Sequence, residues 1–157
     1  MSAENVALIV SEYHEFITSG LAQGARAALI EGGVPEAAVH TFLVPGAYEL
    51  AQAAHRVAET GRFGAVVCLG CLIRGETPHF DYIAQAAAHG IMHAAQRTGV
   101  PAAFGVLTTN TAEEAIARSV AGPANKGAEA ARAALAMIRT YQAIDAASEQ
   151  APGDPAS

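Results

Sequence analysis

Along this chain, short apolar runs alternate with stretches whose apolar residues recur every three or four positions, the signature of strands alternating with amphipathic helices. Val6 to Val10 reads as a first strand. Ser11 to Ile17 forms a loop and helix start, and Thr18 to Glu31 is helical, with Leu21, Ala25, Ala28 and Leu29 on one face. Gly32-Gly33 closes that helix, and Pro35 prevents its resumption. Val39 to Val44 is a second strand, broken by Pro45-Gly46. Tyr48 to Thr60 is a helix ended by Gly61, and Ala65 to Leu72 is the third and most apolar strand. Thr77-Pro78 supplies a cap and first-turn proline for a helix reaching about Arg97 and stopping at Gly99. Ala102 to Leu107 is a fourth strand. Thr111 caps a short helix whose first turn carries Glu113 and Glu114, and Gly122-Pro123 interrupts. An Ala-rich helix then runs from Lys126 to about Ile144.

Four strands alternating with helices predict a three-layer α/β/α sandwich around a four-stranded parallel sheet. Residues 1–144 form one domain, and the small, polar, Pro- and Gly-bearing residues 145–157 read as a disordered tail. Ligands in such folds sit beyond the C-terminal ends of the strands. That rule selects the loops Ser11–Phe16, Pro45–Glu49, Leu72–His79 and Thr108–Thr111.

Composition narrows the function. Of 157 residues, 52% are apolar and only 15% charged. Ordinary soluble domains carry about 25% charged residues, so part of this surface is expected to be buried against copies of the chain. The net charge of −6 is spread without basic runs, which argues against nucleic-acid binding. No apolar stretch is long enough to span a membrane. The N-terminus has no basic region ahead of its first apolar run, so no signal peptide is expected and the cytoplasm is the expected location.

Cys68 and Cys71 are spaced like a redox pair, but they fall within a buried strand rather than at a helix start. Positions three apart on a strand face opposite sides. Both therefore read as small buried apolar residues. His89 and His93 have the i, i+4 spacing of metal ligands, yet no third ligand accompanies them, so no metal site is expected. His40 and His55 read as surface residues.

The strand-end loops carry the chemistry. Tyr13 either covers the core edge or stacks on a planar ligand, with His14 beside it. Glu49 opens a helix, which suits its charge, and it equally suits accepting hydrogen bonds from a polyol. Tyr48 adds a second flat surface. Gly75-Glu76-Thr77 precedes a helix, where free backbone N–H groups make an anion site. Glu76 would offer its main chain there, because its carboxylate repels phosphate. His79 is the residue type best suited to move protons in either direction. Arg118 and Lys126 are either solvated helix-end charges or grips for an anion.

The stretches Val44-Pro45-Gly46-Ala47-Tyr48-Glu49, Gly70 to Tyr82, Phe104 to Thr109 and Ala124-Asn125-Lys126-Gly127 resemble the lumazine synthase family. Order and spacing agree from about Val6 to Ile138. The resemblance implies a flavodoxin-like fold and a transferase of riboflavin biosynthesis. It forms 6,7-dimethyl-8-ribityllumazine from a ribityl-substituted pyrimidine and a four-carbon sugar phosphate, without a cofactor. It implies that Tyr13 stacks on the pyrimidine and that His14 contacts the ligand. Ala47, Tyr48 and Glu49 would line the ribityl pocket, and Cys71, Leu72 and Ile73 would offer main-chain contacts to the pyrimidine edge. Gly75, Glu76 and Thr77 would cradle the phosphate, and His79 would transfer protons. Phe104, Arg118 and Lys126 would come from a neighbouring subunit, with Arg118 on the phosphate.

Three departures from the family pattern bear on assembly. Glu12 stands where many members carry arginine, and Ser119 to Pro123 replaces a more basic linker. Only Met1 to Asn5 precede the first strand, where shell-forming members carry an extra strand. A pentamer or a pair of pentamers is therefore expected ahead of an icosahedral shell, with association with riboflavin synthase as a further expectation. The rival functions are a flavin-binding or storage protein and a shell scaffold with weak activity.

Overall fold

The computed structural model describes residues 5–150. The short N-terminal segment and the last part of the expected tail, 151–157, lie outside the described residues. Four strands, β1 (Val6–Ser11), β2 (Val39–Val44), β3 (Ala65–Ile73) and β4 (Ala102–Thr109), form one parallel sheet in the order β2-β1-β3-β4. Its helices are α1 (Glu15–Glu31), α2 (Leu50–Glu59), α3 (His79–Thr98), α4 (Ala112–Ala117) and α5 (Lys126–Gln150).

Strand alternation sorts the core into two layers. In β3, Ala65, Val67, Leu69 and Cys71 face one way and pack with α1, α4 and α5. Val66 and Cys68 face the other way, toward α2 and α3. Both faces of β1 and β3 are covered, so these strands are almost continuously apolar, as a central parallel strand must be. The edge strand β2 is buried only at its ends, Val39 and Val44. The α/β/α sandwich with a four-stranded parallel sheet is thus as expected, and the strand order is that of a flavodoxin-like sheet shortened to four strands.

Boundaries differ in instructive ways. Helix α1 begins at Glu15 because the carbonyl of His14 accepts from Ile17 N at 2.9 Å and Thr18 N at 3.0 Å. Ala47–Glu49 is a single 3₁₀ turn that leads into α2 rather than part of it. Helix α5 continues to Gln150, beyond the expected end near 144, so residues 145–150 are helical rather than tail. The run Asp145-Ala146-Ala147-Ser148-Glu149-Gln150 has no glycine or proline to stop it, and alanine favours continuation. Pro78 occupies the cap position of α3, with Thr77 just before it. Thr111 caps α4 as expected, accepting from Glu114 N at 3.2 Å.

Helices α1 and α5 lie unusually close. A Cβ on Gly127 would strike the carbonyl of Leu21, so only glycine allows the approach. The buried Asn125 joins the two helices: Nδ2 donates to the carbonyls of Gly20 (3.1 Å), Ser119 (3.0 Å) and Val120 (3.1 Å). Its Oδ1 accepts from Ala128 N at 3.0 Å, capping α5.

Candidate active site

The chain crosses from β2 over β1 to β3, so the loops leaving β1 and β3 diverge and open a cleft between them at the C-terminal edge of the sheet. The cleft measures about 780 Å³. It is lined by Tyr13 and His14 after β1, Ala47, Tyr48 and Glu49 after β2, and Cys71, Leu72, Ile73, Gly75, Thr77 and His79 at and after β3. Pro45, Gly46, Phe80 and Ile83 complete it.

The floor follows from strand register. Pairing of β3 with β1 ends at Leu69, opposite Val10, whereas pairing with β4 continues to Ile73, opposite Thr109. The β1-facing main-chain edge of Cys71–Ile73 therefore has no strand partner and faces the cleft with its own donors and acceptors. A planar heterocycle with alternating N–H and C=O groups is the complement of such an edge.

On the β1 side, Tyr13 is largely exposed and His14 packs edge-on against it, ring centroids 4.5 Å apart. His14 adopts the left-handed conformation, φ 63° and ψ 49°, and is the one non-glycine residue with positive φ among the described residues. Such strain is kept where a site requires it. On the β2 side, Glu49 Oε1 accepts from Gly46 N at 3.0 Å, which holds the Pro45-Gly46 turn closed. Its second oxygen has no partner among the described residues.

After β3, the backbone N–H groups of Gly75, Glu76 and Thr77 donate to no acceptor among the described residues, and they precede the 20-residue helix α3. Free amides at a helix N-terminus attract an anion. Thr77 Oγ1 accepts from His79 N at 3.4 Å, and the His79 ring stands exposed at the start of α3. Glu76 is exposed and does not line the cleft.

Phe104, Arg118 and Lys126 are elsewhere. They line a second, smaller cleft of about 240 Å³ beside β4, with Thr108, Thr109 and Glu114. The two clefts share no lining residue. Lys126 lies 3.5 Å from Glu129, and Arg118 makes no ion pair among the described residues. One chain thus presents two separate, chemically different hollows.

The two cysteines are buried on opposite sides of the sheet, and burial pushes their thiols up, to about 12 for Cys68 and about 11 for Cys71. Burial disfavours the thiolate at both, and the two side chains pack into different core layers, as the strand alternation requires. No group of three potential metal ligands occurs among the described residues.

The profile of the 6,7-dimethyl-8-ribityllumazine synthase family matches residues 3–142. The chain belongs to this family. Among lumazine synthases it is 47% identical over 139 residues to 6,7-dimethyl-8-ribityllumazine synthase 1 of Caulobacter vibrioides, covering 88% of this chain and 91% of that protein. It is 47% identical over 134 residues to the enzyme of Deinococcus radiodurans, 85% of this chain and 84% of that one. The enzyme of Chlorobium phaeovibrioides is also 47% identical, over 139 residues, with 88% and 90% coverage.

Two residues that hold the loops and helices around the two clefts, without lining either, carry no mark in the sequence. Asn125 gave no signal because an asparagine before a helix is usually a plain cap. Arg74 stood in the loop after β3 without an assigned role. Its partners Asn110 and Asp81 lie 36 and 7 positions away, and only the fold brings all three together.

Proposed function

We infer that the protein condenses 5-amino-6-(D-ribitylamino)uracil with 3,4-dihydroxy-2-butanone 4-phosphate. The products are 6,7-dimethyl-8-ribityllumazine, inorganic phosphate and two waters, the penultimate step of riboflavin biosynthesis. The observation that carries this reading is the unpaired main-chain edge of Cys71–Ile73, lying between an exposed tyrosine and a turn of free amides. A planar pyrimidine suits the first two and a phosphate suits the third.

The residues then divide the work. Tyr13 stacks on the pyrimidine, with His14 at its rim, while Cys71, Leu72 and Ile73 read the ring edge through main-chain groups. Ala47 and Tyr48 flank the ribityl chain, and the free oxygen of Glu49 accepts from its hydroxyls. The amides of Gly75, Glu76 and Thr77 receive the phosphate. The amine attacks the ketone, and loss of water gives the imine. Phosphate is eliminated, and ring closure releases the second water. Both substrates are intrinsically reactive, so orientation within the cleft is the main contribution. His79 carries protons between the reacting atoms.

The cationic half of the site comes from a neighbouring copy: Phe104 closes over the pyrimidine, Lys126 lies beside it, and Arg118 grips the departing phosphate. Support comes from the separation of the two clefts on one chain and from exposed apolar side chains, among them Phe16 (78%), Tyr82 (71%) and Leu43 (64%), which a monomer would leave in water. A pentamer or pair of pentamers is the assembly we favour, acting in the cytoplasm and able to associate with riboflavin synthase. Among the described residues no helix is long and apolar enough to cross a membrane.

Mixing the two substrates with the protein and following lumazine fluorescence together with phosphate release tests the reaction. Equal amounts of both products are expected. Tight ligand binding with neither product would overturn the assignment.

A further inference from the structure

The backbone amides of the turn assigned to phosphate donate to no partner among the described residues, yet an anion site built from backbone amides works only if those amides hold one direction. Arg74, which immediately precedes the turn, supplies what the turn lacks. Its amide donates to the carbonyl of Thr109 at 2.9 Å, anchoring the last residue before the turn to the end of β4. Its Nε donates to Asn110 Oδ1 at 3.2 Å. Its Nη2 lies 3.5 Å from Asp81 Oδ1, in the first turn of α3. Its guanidinium carbon sits 4.5 Å from the centre of the Phe80 ring, which lines the cleft. The side chain thus spans the turn from its entry at residue 74 to its exit at residue 81.

We propose that Arg74 is the positioning residue of the phosphate turn, a clamp that holds the Gly75–Thr77 amides aimed into the cleft. The clamp extends to the β4–α4 loop, because Asn110 N in turn donates to Glu114 Oε2 at 3.2 Å. Glu114 and Arg118 line the second cleft. Asp81 offsets the guanidinium charge, so Arg74 acts by shape rather than by adding a free cation. A planar fork can meet Asn110 and Asp81 while stacking on Phe80, whereas a lysine ammonium cannot do all three. The inference rests on the assignment of Gly75–Thr77 to phosphate.

The test compares Arg74→Lys and Asp81→Asn with the unaltered protein. Three quantities are read: KM for each substrate, the inhibition constant of inorganic phosphate, and the phosphate-induced slowing of amide exchange at Gly75–Thr77. Arg74→Lys should raise the KM for the sugar phosphate and the inhibition constant about 5–10-fold, with the pyrimidine KM unchanged. It should also abolish the phosphate-induced slowing of exchange. Asp81→Asn should act in the same direction, about 2–3-fold. Full rescue by lysine would overturn the proposal, since charge alone would then suffice. Tighter phosphate binding in Asp81→Asn would also overturn it, by marking Arg74 as a ligand that Asp81 restrains. If Arg74→Lys does not fold, Asn110→Ala carries the same expectation on the same readouts. The exchange measurement needs no turnover: protection lost in the variant of an inactive protein supports the clamp and defeats the reaction, while an active protein with unaltered Arg74→Lys defeats the clamp alone.

Discussion

The backbone N–H of Lys126 donates to the carbonyl of Arg118 across 2.8 Å, closing the linker between α4 and α5 and setting both cationic side chains at one hollow. The tether is main chain to main chain. Replacing either side chain leaves it intact, so effects on ligand binding can be read apart from effects on folding.

Arg118→Ala is accordingly expected to raise the KM for the sugar phosphate about 10–100-fold, the loss of one charge-assisted, partly desolvated contact to phosphate. Affinity for the pyrimidine and the melting temperature should stay near those of the unaltered protein. Steady-state kinetics with each substrate varied in turn checks this. Equal losses for both substrates would contradict the assigned role.

His79→Ala should slow turnover about 10–100-fold while both substrates still bind, the usual cost of losing acid–base assistance. The ring is exposed at the start of α3 and takes no part in the core, so stability should barely change. Single-turnover measurement of lumazine formation isolates the chemical step. An unchanged rate would remove His79 from the mechanism.

Asn125→Ala should be costly although Asn125 lines neither cleft that carries the candidate site. It strips the carbonyls of Gly20, Ser119 and Val120 of a donor and uncaps α5. We expect a loss of about 2–4 kcal/mol, read in chemical denaturation. Asn125→Asp should not rescue it, because the carboxylate keeps the cap yet faces three carbonyl oxygens.

Stability should fall as the solution is made alkaline. The ordinary Cys68 thiol ionises near 9, and burial holds the folded-state thiol protonated up to about 12. Between those values the unfolded chain releases a proton that the native chain keeps, so the stabilisation is full below pH 9 and is lost as pH rises toward 12. One such thiol contributes a slope of about 1.4 kcal/mol per pH unit. Urea denaturation at several alkaline pH values should show a shallower decline for Cys68→Ala, with the remaining thiol slope carried by Cys71, which is pushed up to about 11. Parallel slopes for the two proteins would show that the thiol does not titrate as its burial requires.

Much of the scaffold was legible because each strand carries its environment in its composition. Residues 65–72 are apolar at every position except a single glycine, and only a strand covered on both faces tolerates that. The opposite burial of Cys68 and Cys71 follows from a two-residue period. The end of α5 at Gln150 is not legible in the sequence, because a polar, alanine-bearing stretch is compatible with either tail or helix and nothing local chooses between them. Arg74 illustrates a different limit. Its ties to Asp81 and Asn110 depend on how two loops converge, and no spacing records that.

The amino-acid sequence by itself determined the alternation of strands and helices, the parallel sheet, and the loops that bear Tyr13, Glu49, Gly75–Thr77 and His79, because periodicity and turn residues act locally. Only the tertiary structure decided that β3 outruns β1 and leaves a bare main-chain edge, and that Phe104, Arg118 and Lys126 gather in a hollow of their own. Register and loop convergence are set by packing between elements distant in the chain, where side chains from both layers must fit at once.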